Sequence, residues 1–138
     1  MNMNELKIQS FIEKLITETK NNNLTWSRFT ELSLNPILIN FLGSKIKEIN
    51  KIDSFVCNYK SGFIILTKRG VVSEEWWNTI DVYEIIIQSN EYAKPSYLFD
   101  YENFEHFQAD LIRISYLIEE SISRTNLFID NFLDEEFV

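Results

Sequence analysis

Three glycines, two prolines, one cysteine and one histidine are the whole supply, in 138 residues, of the types that most often mark special backbone or special chemistry. Each scarcity excludes something. With glycine only at positions 43, 62 and 70, neither G-x-G-x-x-G nor G-x-x-x-x-G-K-[ST] can be written, so phosphate cradles of those two kinds are out. The single Cys57 cannot form an internal disulfide, which suits a reducing, cytoplasmic setting. His106 is the only imidazole that could serve a serine or cysteine nucleophile as base. No apolar run approaches the ~20 residues of a membrane span, and the polar opening Met1-Asn-Met-Asn-Glu-Leu-Lys7 does not read as a signal peptide.

Positive charge is scarce in one half. Residues 1–70 hold ten Lys/Arg against six Asp/Glu, a net of +4, and residues 71–138 hold three against fifteen, a net of −12, together the chain's −8. Such lopsidedness has two physical readings: a polar surface offered to a partner, or an internal fit of one half against the other.

Apolar residues make up 45% of the chain and aromatic ones 14%, enough for one proper core, and the length suits a single domain over residues 1–138. The best-defined stretch is a hairpin over 54–69. Ser54-Phe-Val-Cys-Asn-Tyr-Lys60 and Phe63-Ile-Ile-Leu-Thr-Lys-Arg69 flank a Ser61-Gly62 corner. With that corner as the loop, Tyr59 pairs with Ile64, Cys57 with Leu66 and Phe55 with Lys68. Phe55, Cys57, Tyr59, Ile64 and Leu66 then share one apolar face. Strands near 80–88 and 96–101 extend the sheet to about four strands, and Gly70–Asn78 reads as a long loop between two of them.

Helical periodicity covers the rest. Ile8, Phe11, Ile12, Leu15 and Ile16 mark a helix from about Asn4 to Lys20, stopped by Asn21-Asn22-Asn23. Thr25 suggests a cap for a short helix holding Trp26, Phe29 and Leu32. Asn35-Pro36 is an N-cap followed by proline at the first helical position, and that helix should break near Gly43-Ser44. The longest helix runs from about Asn103 to Ser123. A final short helix should turn Phe128, Ile129, Phe132 and Leu133 inward. The fold class is therefore α+β: an antiparallel sheet packed by N-terminal helices and a long C-terminal helix.

The chemistry is sparse. Glu102, His106 and Asp110 share one helical stripe, but it lies opposite the apolar one, and a metal usually needs more neutral donors than one imidazole. Cys57 alternates with Phe55 and Tyr59, as an inert core thiol would. Lys60, Lys68 and Arg69 are too few for a nucleic-acid footprint on an acidic chain. The acid pairs Glu74-Glu75 and Glu119-Glu120 and the run Asp134-Glu135-Glu136 show no two carboxyls held across a cleft. No catalytic residue, metal site or cofactor is expected.

What remains favours binding. Trp76 and Trp77 are neighbours and cannot easily both enter one core, and exposed tryptophan is the residue type that dominates binding hot spots. The expected interaction surface comprises Glu74, Glu75, Trp76, Trp77, Glu119 and Glu120, offered to a basic, nucleic-acid-handling protein that this chain would inhibit or neutralise. No motif singles out a relative; in size, charge and missing catalytic equipment the chain resembles small inhibitors, immunity proteins and phage counter-defence proteins in general style. The alternative is a small-ligand or nucleotide binder using hydroxyls of Tyr59, Tyr83, Tyr97 and Tyr101. A free outer strand in the hairpin would also permit a homodimer by sheet extension.

Overall fold

The computed structural model describes residues 3–30, 34–73, 75, 77–98 and 104–135. Five antiparallel strands lie in sequence order: β1 (Trp26–Arg28), β2 (Phe55–Tyr59), β3 (Gly62–Ser73), β4 (Asn78–Gln88) and β5 (Ser96–Tyr97). The helices are α1 (Met3–Lys20), α2 (Pro36–Leu42), α3 (Gln108–Ser123) and α4 (Thr125–Asp134), with 3-10 turns at Gly43–Glu48 and Glu105–Phe107. The fold is α+β, as expected, with five strands instead of about four.

Strand alternation builds two cores. On one face Phe55, Cys57, Ile64, Leu66 and Ile85 pack against Ile8, Ile12 and Leu15 of α1 and Leu111, Ile114 and Ile118 of α3. On the other face Val56, Ile65 and Ile86 meet Leu38 and Leu42 of α2, with Phe29 and Ile49. The sheet is thus a middle layer with helices on both sides.

Local signals act largely as the sequence suggests. Asn35 Oδ1 accepts from the Leu38 backbone N–H at 2.9 Å, Pro36 opens α2, and the helix gives way at Gly43, whose φ of 54° only glycine adopts freely. Three expectations are corrected. Over the described residues after Thr25 the chain is not helical, and Leu32 lies outside them: Trp26, Ser27 and Arg28 pair with Cys57, Val56 and Phe55, because the β2 edge satisfies their backbone and the buried Trp26 indole N–H finds Thr19 Oγ1 at 3.2 Å. Spacing alone cannot separate helix from strand in so short a run. β1 also occupies the outer edge of β2 over Phe55–Cys57, so the hairpin's outer strand is not the free edge expected.

The second correction concerns the hairpin. Tyr59 pairs with Gly62, Cys57 with Ile64 and Phe55 with Leu66, two residues from the expected register. A shift of two preserves every side chain's face, so the core is unchanged. The loop is Lys60-Ser61, and Lys60 carries the positive φ of 54°. Gly62 is glycine for want of space: a Cβ there would stand 2.6 Å from the Gln88 carbonyl oxygen and 2.7 Å from that of Ser89. The third is α4, whose Phe128, Ile129, Phe132 and Leu133 face solvent and not the core. Amphipathic patterning shows that a helix needs a partner, not that its own chain supplies one. The end of the strand expected over 96–101, at 99–101, and the start of the long helix at Asn103 lie outside the described residues.

Candidate functional site: a projecting two-stranded ribbon

β3 and β4 pair over eleven rungs, from Phe63↔Gln88 to Ser73↔Asn78. Their neighbours are shorter: β2 covers β3 only to Leu66, and β5 touches β4 only at Ile86 and Ile87. The segment Gly70–Asn78 is therefore not a simple loop, because Gly70–Ser73 and Asn78–Asp81 continue the ladder. From Gly70↔Asp81 outward, four rungs project about 13 Å at ~3.3 Å per residue.

The root of this ribbon is finished on both sides. On β4, the Gln108 side chain accepts from the Tyr83 N–H at 2.7 Å and donates to the Tyr83 carbonyl at 2.7 Å, as a neighbouring strand would. On β3, Ser54 Oγ accepts from the Lys68 N–H at 2.9 Å, and the Asn50 N–H donates to the Lys68 carbonyl at 2.8 Å. Outward and inward backbone groups alternate along a strand. The next outward groups are those of Gly70 and Val72 on β3 and of Asp81 and Thr79 on β4. Among the described residues no further strand pairs with these positions.

Side chains at the tip are unusual. Trp77 is 88% exposed with φ 53°, and its N–H donates to the Ser73 carbonyl at 2.8 Å to close the loop. A bulky residue held at positive φ is a genuine outlier and a pointer to function. Val72 is 69% exposed nearby on the ribbon, and Glu75 is exposed. At the root, Lys68 lies 3.4 Å from Asp53 and 4.0 Å from Asp81. Arg69 binds the buried Glu84 at 2.9 Å and Glu48 at 3.1 Å. Burial alone would depress both cations, yet their acid neighbours, with Tyr83 beside Lys68, hold both pKa values above the usual range.

The six residues expected to form one surface fall into two groups. Trp77 and Glu75 sit at the ribbon end; Glu74 and Trp76 lie outside the described residues. Glu119 and Glu120 lie near the end of α3 instead. Glu119 holds Arg28 through both carboxylate oxygens, and Arg28 stands on the rung of Phe55, Leu66 and Ile85. Seven residues of β3 separate that rung from Ser73, or about 23 Å. The hydrogen bond from Arg28 keeps the Glu119 carboxyl below its ordinary pKa. Arg28–Glu119, Arg69–Glu84 and Lys68–Asp81 all join the basic half to the acidic half, so part of the charge asymmetry is an internal fit.

The remaining sequence candidates are placed as follows. His106 is exposed and its Nε2 lies 2.9 Å from Glu5 Oε1; Glu102 lies outside the described residues. Among the described residues no three His, Cys, Asp or Glu side chains are grouped as metal ligands. Cys57 is fully buried, and burial raises its thiol to a pKa of about 11. Tyr59 and Tyr83 lie on the α1/α3 face of the sheet, whereas Tyr97 lies on the α2 face against Phe41 and Lys45, so these hydroxyls line no common pocket. Tyr101 lies outside the described residues. Within those residues no helix is long and apolar enough to cross a membrane. No family model, curated protein or solved structure matches the chain.

Proposed function

We propose that this is a non-enzymatic interaction protein that grips a macromolecular partner with the end of its β3–β4 ribbon and thereby inhibits or neutralises it. The observation that carries the reading is Trp77, solvent-exposed at a backbone conformation tryptophan rarely adopts. Leaving a large indole in water forfeits about 1.5–3 kcal/mol of burial, which a partner's pocket would recover. The ribbon's outward backbone groups offer a strand-addition edge beside that anchor. Glu75 puts a negative charge at the end, which suits a basic partner such as a nucleic-acid-handling protein and would steer its approach.

The test is affinity capture from the native host, then calorimetry with the recovered protein. Trp77→Ala should weaken binding by about thirtyfold or more, the mark of a hot spot of ~2 kcal/mol. Glu75→Lys should slow association and flatten its salt dependence. In the complex, outward amides on one ribbon edge should gain protection from hydrogen exchange. Equal affinity of wild type and Trp77→Ala would overturn the proposal.

A further inference from the structure

The helical layer on the α1/α3 side of the sheet stops short of the ribbon. α1 meets the sheet at Trp26, whose rung holds Cys57 and Ile64. α3 follows toward the ribbon, tied to Tyr83 of β4 through Gln108 and to Arg28 of β1 through Glu119. Beyond α3 the same face of the sheet continues. Ile64 and Leu66 point to this side, and by alternation so do Gly70 and Val72 of β3, with Thr79 and Asp81 of β4 opposite. Val72, Thr79 and Asp81 are exposed there. The rung of Gly70 stands four residues beyond that of Leu66, or about 13 Å. Packed helices lie about 8–10 Å apart and measure about 10–12 Å across, so this floor has the width of one more helix beside α3.

The wall of the floor is apolar. One flank of α3, with Asp110 and Arg113, faces α1 across a cleft that also holds Gln9 and Glu13. The flank toward the ribbon carries Ala109, Ile112 and Tyr116 at i, i+3 and i+7, all exposed, Tyr116 to 73%. Val72 supplies an apolar side chain on the floor, and Gly70 beside it leaves the backbone bare. Ile52 stands 71% exposed at the β1 end, where its carbonyl accepts from Arg28 Nη1 at 2.7 Å. None of these apolar side chains belongs to either core cluster.

We infer that this ledge seats an amphipathic α-helix of the protein partner, laid beside α3 across the ribbon floor, apolar face down and with Lys or Arg along its rim. The inference rests on the reading of the ribbon as the gripping element and adds the form of the segment it grips. Apolar residues one and two turns apart on the incoming helix would meet Ile112, Tyr116 and Val72. The face of the ribbon is used, and its edges stay open. The charges favour a basic rim. Asp53 and Asp81 flank Lys68 at the root, Glu119 holds Arg28 at one end, and Glu75 stands at the tip. Lys51, in the turn of Ile52, is the third base, and Arg113 belongs to the α1 flank. Carboxylates thus outnumber cations around the seat, and acids already engage two of those cations.

Selection of displayed peptides on the full chain tests the inference. One library holds peptides of about 18 residues, five helical turns, with an apolar stripe flanked by Lys and Arg; a second has the same composition in strict alternation. The helical library should yield binders of micromolar affinity that gain helical circular dichroism on the protein. Tyr116→Ala with Ile112→Ala should weaken them about tenfold or more, with an unchanged melting temperature. Ile39→Ala, exposed on the α2 side, should leave them unaffected. A helical library without binders would overturn the inference, as would binders indifferent to Tyr116 and Ile112, or alternating peptides that win the same seat. If the peptides fail while capture of the host partner still depends on Trp77, the seat is wrong and the ribbon reading stands. If they bind at Tyr116 while the host partner ignores Trp77, the seat stands and the Trp77 anchor falls.

Discussion

Lys68 and Tyr83 face each other across β3 and β4, and on their rung both open edges of the sheet are closed by groups that are not strands. Ser54 and Asn50 finish one side and Gln108 the other. Inside this rung the sheet is a packed middle layer; outside it begins a ribbon. Gln108→Ala removes both partners of the Tyr83 backbone at once. It should cost about 1–3 kcal/mol in urea denaturation, the range for stranded buried polar groups. Gln108→Glu keeps the acceptor, loses the donor and should also destabilise the fold.

Lys60 occupies a left-handed position in the β2–β3 turn without the side chain for it. An L-residue gives up roughly 1–2 kcal/mol there. Glycine would relieve this but lose unfolded-chain rigidity and the contact of Lys60 with the Tyr59 ring. Lys60→Gly should therefore raise stability by only a few tenths of a kcal/mol, whereas β-branched Lys60→Val should lower it by about 1 kcal/mol. Thermal melts of the pair give the order.

The Arg28–Glu119 pair ties β1 to α3. Because folding lowers the Glu119 pKa, its contribution is present above the unfolded value near 4.5 and is lost as pH falls through the lower folded value. Both side chains are more than a third exposed, so water screens the pair and the contribution is held to about 0.5–1 kcal/mol. Glu119→Gln should show that deficit at neutral pH, and the deficit should shrink as pH falls through the lowered folded value.

Cys57 behaves in the opposite sense. Its thiol pKa rises from 9.0 to about 11 on burial, so the stability it contributes is complete below 9 and declines as pH climbs toward 11. The difference in melting temperature between wild type and Cys57→Ala should shrink over that interval, by on the order of 2 kcal/mol in free energy. At neutral pH a thiol reagent should modify wild type only as fast as the chain unfolds.

Much of the fold was legible because burial on a sheet follows parity. Phe55, Cys57, Ile64, Leu66 and Ile85 share a face in either register, so misplacing the turn did not misplace the core. The turn itself is hidden because a Ser-Gly pair suggests the loop, whereas Gly62 belongs to the strand and its role is to admit two carbonyl oxygens from the end of β4 and the residue after it. Gly70 reads as the start of a loop, yet Val71 and Val72 continue the strand because Ile80 and Thr79 stand opposite. Trp77 could be singled out from its neighbour Trp76 alone, since two adjacent indoles compete for one core. Glu119 could not be placed: its partner Arg28 lies 91 positions away, and no local pattern reports such a pairing.

The crowded corner at Gly62 has a consequence for the opposite end of the molecule. Where Gly62 presses on Gln88 and Ser89, the two longest strands are held flush, with no room for one added carbon. Any surplus length must therefore emerge at the other end. Residues inserted or removed there in facing pairs would change how far the protein reaches without moving an interior side chain. Reach is the one dimension of this architecture left free to drift, and a lineage could refit it to a new target while keeping the rest intact.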